Sequence, residues 1–144
     1  MSTQECENLN RQQKFIRLYL AKVAARRDMV TYTKLCRDCH LPYAMENPYD
    51  RGQLGHDLGV ISWHEVELHN RPMLSSVTVS YSGGSARPGN GFFDLASELK
   101  IFDNKFDNKF EFFIEEMKKT YEFWTSIAGK KEIAKFEKEI SEWI

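Results

Sequence analysis

Between Asp50 and Leu99 the chain changes its hydrophobic period twice, and that change limits the folds open to it. Leu54, Leu58, Ile61 and Leu68 fall four, three and seven residues apart, which places them on one face of a helix. Asp50-Arg51-Gly52-Gln53 has the form of that helix's N-terminus, an acidic cap with a Gln three positions on. Arg71-Pro72 ends it, because proline disfavours helix in the residue before it. Met73, Ser75, Val77, Val79 and Tyr81 then alternate with Leu74, Ser76, Thr78 and Ser80, the period of a strand with one buried face. Ser82-Gly83-Gly84-Ser85 predicts a turn, and Arg87-Pro88-Gly89-Asn90-Gly91 extends the loop. Phe92, Leu95, Ala96 and Leu99 return to helical spacing, so a short helix begins near Gly91.

Gly55 and Gly59 lie beside the helical stripe, four residues apart. Each costs a helix about 1 kcal/mol against alanine, so the pair needs a reason. Close approach of a neighbouring backbone is the expected one, with a break near Gly59 as the alternative.

The flanks read as helices. Asn8 to Arg27 predicts a first helix whose core stripe is Leu9, Ile16, Leu20 and Val23, widened by Phe15 and Tyr19. Met29 to Thr33 is a short β-branched segment, Lys34 to Leu41 a second helix, and Pro42 to Asp50 a loop. Phe102-Asp103-Asn104-Lys105 repeats at once as Phe106-Asp107-Asn108-Lys109, a local duplication at a helix entry. Phe106, Phe110, Phe113, Met117, Tyr121 and Trp124 then predict a long helix with an aromatic seam. Gly129 punctuates it, and Ile133, Phe136, Ile140 and Trp143 predict a last helix whose other face is Lys and Glu. The chain's 144 residues suit a single domain. The expected fold is α+β and mostly helical: a winged-helix-like core over about residues 8–100 with a small β-sheet and wing, and a C-terminal helical extension over 101–144.

The run Val30-Thr31-Tyr32-Thr33-Lys34-Leu35, the helix at Gly52–His69 and the wing at Ser82–Gly91 together resemble the DNA-binding half of alkylguanine-alkyltransferase-like proteins. That family's reactive cysteine sits in a Pro-Cys-His-Arg motif between the helix and the wing. Asn70-Arg71-Pro72-Met73 stands here instead, so the resemblance implies a DNA-binding fold and not alkyl transfer. The segment Arg71 to Val79, followed by Pro88-Gly89-Asn90-Gly91-Phe92-Phe93, is also similar to small uncharacterised bacterial proteins, which brings no function with it.

Charge is unevenly placed. From Arg11 to Arg37 the basic residues Arg11, Lys14, Arg17, Lys22, Arg26, Arg27, Lys34 and Arg37 face one acid, Asp28, so this window carries +7 in a chain of net charge −1. Such a field implies an acidic counterpart, either nucleic acid or an acidic protein partner. Arg87 at the wing tip would extend it into a groove. The expected function is non-catalytic nucleic-acid binding through these nine residues. The alternative is a protein-binding inhibitor or immunity-type protein that uses charge complementarity against its partner. The predicted third helix holds Asp57, Glu65 and Glu67, which argues against reading bases with it.

The chemical motifs are incomplete. Cys36-Arg37-Asp38-Cys39-His40 matches the string that attaches a c-type haem, a modification of exported proteins. Met1 to Glu5 is polar and acidic without a signal-peptide core, no apolar run spans a membrane, and three cysteines make no disulfide framework, so a cytoplasmic protein with reduced thiols is expected. Cys36 and Cys39 with His64 and His69 offer zinc-type ligands, but 24 residues separate the halves where a finger has about 12. On an α-helix the two histidines, five apart, would point about 140° from each other, and the zincin motif needs a spacing of four. The competing reading packs the cysteines as small hydrophobes. No nucleophile elbow, P-loop or dinucleotide fingerprint is present, so neither an enzyme nor a cofactor is expected.

Overall fold

A computed structural model describes residues 2–102 and 108–143. Among these, α1 (Thr3–Glu7), α2 (Arg11–Ala25), β1 (Val30–Thr31), α3 (Tyr32–Asp38) and α4 (Pro48–Trp63) lead to β2 (Thr78–Ser82), β3 (Ser85–Arg87), α5 (Asn90–Glu98), α6 (Lys109–Thr125) and α7 (Ile127–Ser141). The architecture is α+β and mostly helical, with a small mixed sheet ordered β1-β2-β3. β1 runs parallel to β2, pairing Val30 with Thr78, and β2 runs antiparallel to β3, pairing Ser80 with Arg87. Gly83 and Gly84 both have positive φ, 58° and 81°, the conformation that a tight two-residue hairpin turn requires.

Capping explains where the helices depart from expectation. The helix expected over Asn8 to Arg27 is α2, which starts only at Arg11 because Asn10 and Gln13 form a capping box there, and the short α1 precedes it. Asp50 is not the cap of α4. Asn47 is, with Pro48 in the first turn, where a missing N–H and a fixed φ cost nothing. Asp50 instead accepts from the Ala44 amide at 3.0 Å. Thr31 caps α3 through its hydroxyl, which accepts from Lys34 N at 3.1 Å.

The strand expected from Met73 begins only at Thr78, preceded by a 3₁₀ turn over Leu74–Val77. The alternation misled because every residue from Met73 to Val79 is buried. Its serines are polar without facing solvent. Ser75 meets Ser62 of α4 at 2.6 Å, and Ser76 meets Thr120 of α6 at 2.9 Å.

Helices α6 and α7 pack on α2, and Trp124 and Phe136 join the core built by α2, α3 and α4. A second apolar cluster gathers Met73, Val79, Phe92, Phe93 and Phe113. Within the expected aromatic seam, Phe113 and Trp124 are buried while Phe110 is 49% exposed. Phe106 and most of the duplicated tetrapeptide lie outside the described residues. The break between the last helices falls at Ser126, which closes α6 and caps α7, and Gly129 sits inside the first turn that follows.

Candidate functional site

Helix α4 has an open cleft of about 660 Å³ along one side, closed opposite by β2 and the start of α5. Leu54, Leu58, Val79, Phe92 and Leu95 make its lining mainly apolar, with Thr31 and Tyr32 entering from the β1–α3 junction. Gly55 and Gly59 of α4 both line this cleft. A Cβ placed on Gly55 or on Gly91 would meet nothing within 4 Å. The expected close approach of a backbone is therefore absent at Gly55: its missing side chain leaves volume open. At the base of α5 the backbone N–H of Gly89 donates to the Tyr32 hydroxyl at 2.8 Å, and burial pushes that phenol's pKa up.

Cations stand around this cleft, and among the described residues they have no carboxylate partners. Arg51 lines it and donates to the Met45 carbonyl at 2.8 Å. Arg87, two residues before Gly89, lies 5.7 Å from the centre of the exposed Phe110 ring. Lys109 sits 5.5 Å from the Phe93 ring, which packs edge-on against the cleft's Phe92. Tyr81, also on the lining, is 62% exposed.

The basic residues of the opening helices are placed differently. Lys14 pairs with Glu139 and Lys22 with Glu137, both acids of α7. Lys34 and Arg37 share Asp38, at 2.6 and 3.7 Å, and hydrogen bonds from Lys34 and Tyr19 hold that carboxyl down at about 2. Arg11 lies over the Trp143 ring, Arg27 reaches Thr125, and Arg26 is exposed. Arg17, one of the nine residues expected to meet a partner, faces inward. It is 7% exposed, with its guanidinium 3.9 Å from the Phe136 ring centre and Nη1 3.4 Å from His64 Nε2. The Lys and Glu face of α7 reads in sequence as solvated surface, yet its Glu137 and Glu139 take up cations from α2. Nothing local announces a pairing between helices more than a hundred residues apart.

The acids that counted against α4 as a reading helix are mostly internal. Asp57 and Glu65 are buried, and only Glu67 is exposed. Arg71 holds Glu65 at 3.0 Å and Glu132 at 3.2 Å, against the faces of Phe123 and Trp124.

Cys36 and Cys39 pack in the core, and burial raises the pKa of both thiols, that of Cys39 to about 12. His64 turns its Nδ1 to the Cys6 carbonyl at 2.7 Å. Among the described residues no three His, Cys, Asp or Glu side chains gather as a metal site.

No helix of the described residues is long and apolar enough to cross a membrane. No family model, curated protein or solved structure matches the chain.

Proposed function

We propose that this protein is a non-catalytic module that binds single-stranded nucleic acid through the β2–β3 hairpin and the cleft behind it. The observation that carries the reading is the company of Arg51, Arg87 and Lys109. They form no ion pair among the described residues, and they flank an apolar cleft with exposed Tyr81 and Phe110 beside it. Cations that track a phosphate backbone, with aromatic faces on which bases stack, are what single-strand binding requires. The hairpin takes the part of a wing in a winged-helix-like element order. Lys14, Lys22 and Lys34, already neutralised within the fold, contribute little.

Fluorescence anisotropy of a labelled oligonucleotide at two salt concentrations tests this. Binding that weakens as salt rises, and that Arg87→Ala with Lys109→Ala reduces about tenfold or more, is expected. Lys14→Ala with Lys22→Ala leaves it within about twofold. Absence of binding at low salt, or equal affinity for duplex, overturns the reading.

The aliphatic lining from Leu54, Leu58, Val79 and Leu95 favours one second reading, a protein partner that inserts an apolar side chain in the same cleft. That is the inhibitor or immunity-type role. A single stoichiometric protein recovered with the chain from its native host, free of nucleic acid, selects it.

A further inference from the structure

On another side of α4 a second cleft, of about 700 Å³, is polar where the first is apolar. Its lining includes Glu5, Gln12, Gln13, Tyr43, His56 and Asp57, with no lysine or arginine among the described residues. Asp57 is 5% exposed, and a buried carboxylate is ordinarily matched by a cation. Here its partners are neutral: Gln13 Nε2 donates to Oδ1 at 3.0 Å, while Gln12 Nε2 and the Tyr43 hydroxyl donate to Oδ2 at 3.1 and 2.8 Å.

The hydrogen-bond inventory of the cleft is thus lopsided. A carboxylate offers about four acceptor positions, and three bonds leave one on Oδ1. The amide donors of Gln12 and Gln13 are turned onto Asp57, which orients each amide, since a carboxylate oxygen only accepts. Gln12 Oε1 then has no partner among the described residues, while Gln13 Oε1 accepts from the Asn10 amide. His56 Nε2 is engaged with Glu5 at 2.8 Å. The acceptors left over, with the uncompensated charge of Asp57, call for a ligand that brings both donors and positive charge.

We propose that this cleft binds a small organic cation bearing an ammonium or guanidinium group, with Asp57 as its counter-ion and Gln12 Oε1 as a second acceptor. Gly52 opens the cleft as Gly55 opens the other: it lines the wall, and a Cβ there would meet nothing within 4 Å. The site is independent of the oligonucleotide surface, so either can fail alone.

Two-dimensional NMR of the glutamine side-chain amides tests it, with agmatine and putrescine as probes and 1,4-butanediol and adipate as neutral and anionic controls. Saturable shifts of the Gln12 and Gln13 amides with the cations alone are expected. Asp57→Asn weakens the binding about tenfold or more, as loss of a charge-assisted hydrogen bond does. Gly52→Leu, which leaves the Asp57 network whole, abolishes it without lowering the thermal midpoint. No saturable shift at millimolar probe, equal response to butanediol or adipate, or full binding by folded Gly52→Leu overturns the proposal.

Discussion

His64 and His69 stand five residues apart and touch: their Nε2 atoms are 3.3 Å apart and their ring centroids 5.0 Å. On an α-helix they would diverge. The chain from His64 to Leu68 is instead a π-helix, whose bonds run from i to i+5 and bring residues of that spacing onto one side. The widened turn continues α4 without interruption. It also aims His64 at Arg17 of α2, so one local irregularity ties two helices through a buried contact.

The tautomer of His64 follows from its neighbours. A carbonyl only accepts, so Nδ1 carries the proton toward Cys6, and Nε2 offers its lone pair to Arg17. Protonation would set an N–H against the guanidinium. Burial lowers the pKa of His64, with the Arg17, His69 and Arg71 charges adding to it and the Cys6 carbonyl opposing. The unfolded chain therefore takes up the proton first. The contribution is complete above the unfolded value of about 6.5 and is lost as pH falls below it. Urea unfolding of wild type and His64→Gln should show the wild-type advantage narrowing from about pH 7.5 to about 5.5.

Arg71 is the partner that makes Glu65 tolerable. Glu65 is fully buried, its pKa is raised by burial against the pull of Arg71, and its Oε1 has no hydrogen-bond partner among the described residues. Arg71→Met strands this carboxyl and should cost about 3–5 kcal/mol in chemical denaturation. Adding Glu65→Gln to it should restore part of the loss, because the stranded charge disappears with its partner. A double variant no more stable than Arg71→Met would assign the cost to lost packing over Phe123 and Trp124.

Glu116 presents the opposite case, a buried carboxyl with no cation in contact among the described residues. Its Oε2 accepts from Met73 N at 2.8 Å, and burial raises its pKa while that bond and Lys119 oppose the shift. The folded state holds the proton longer than the unfolded chain, so stability falls as pH rises above the unfolded value of about 4.3. Glu116→Gln keeps an acceptor for Met73 and removes the charge. It should match or exceed wild type at neutral pH, with a gain that grows upward from acid pH. Glu116→Ala should lose about 1–3 kcal/mol by orphaning the Met73 amide.

Periodicity made most helices legible, because Leu54, Leu58 and Ile61, or Phe113 and Trp124, face the core as their spacing requires. It failed where burial is complete on all sides, as from Met73 to Val79, since a wholly buried segment has no polar face to set its phase. The candidate site was half legible. Gly55, Gly59 and the Gly89-Asn90-Gly91 run stood out in sequence, but a glycine that admits a backbone and one that leaves a cavity look alike until the neighbours are placed. Charge misled for the same reason. Arg17 has the composition of a surface residue, and only the arrival of Phe136 and His64 makes it internal.

Two glycines on helices should answer one substitution in opposite senses. At Gly55 a methyl group enters open cleft and meets nothing within 4 Å. Gly55→Ala therefore gains helix propensity and should raise stability by up to about 1 kcal/mol, seen as a higher urea midpoint with unchanged slope. At Gly129 the same methyl would lie 2.2 Å from the Phe123 carbonyl oxygen and 2.6 Å from Trp124 Cα. Both are backbone atoms at the end of α6, and Ser126 pins the corner through its hydroxyl, which accepts from Gly129 N at 3.1 Å. Neither side can yield without moving α7 off α2 or lifting Trp124 from the core. Gly129→Ala should cost about 2–3 kcal/mol or more despite its better propensity. Equal effects at the two sites would mean that the α6–α7 corner is looser than its geometry states, and that the cleft beside Gly55 is not held open by that residue.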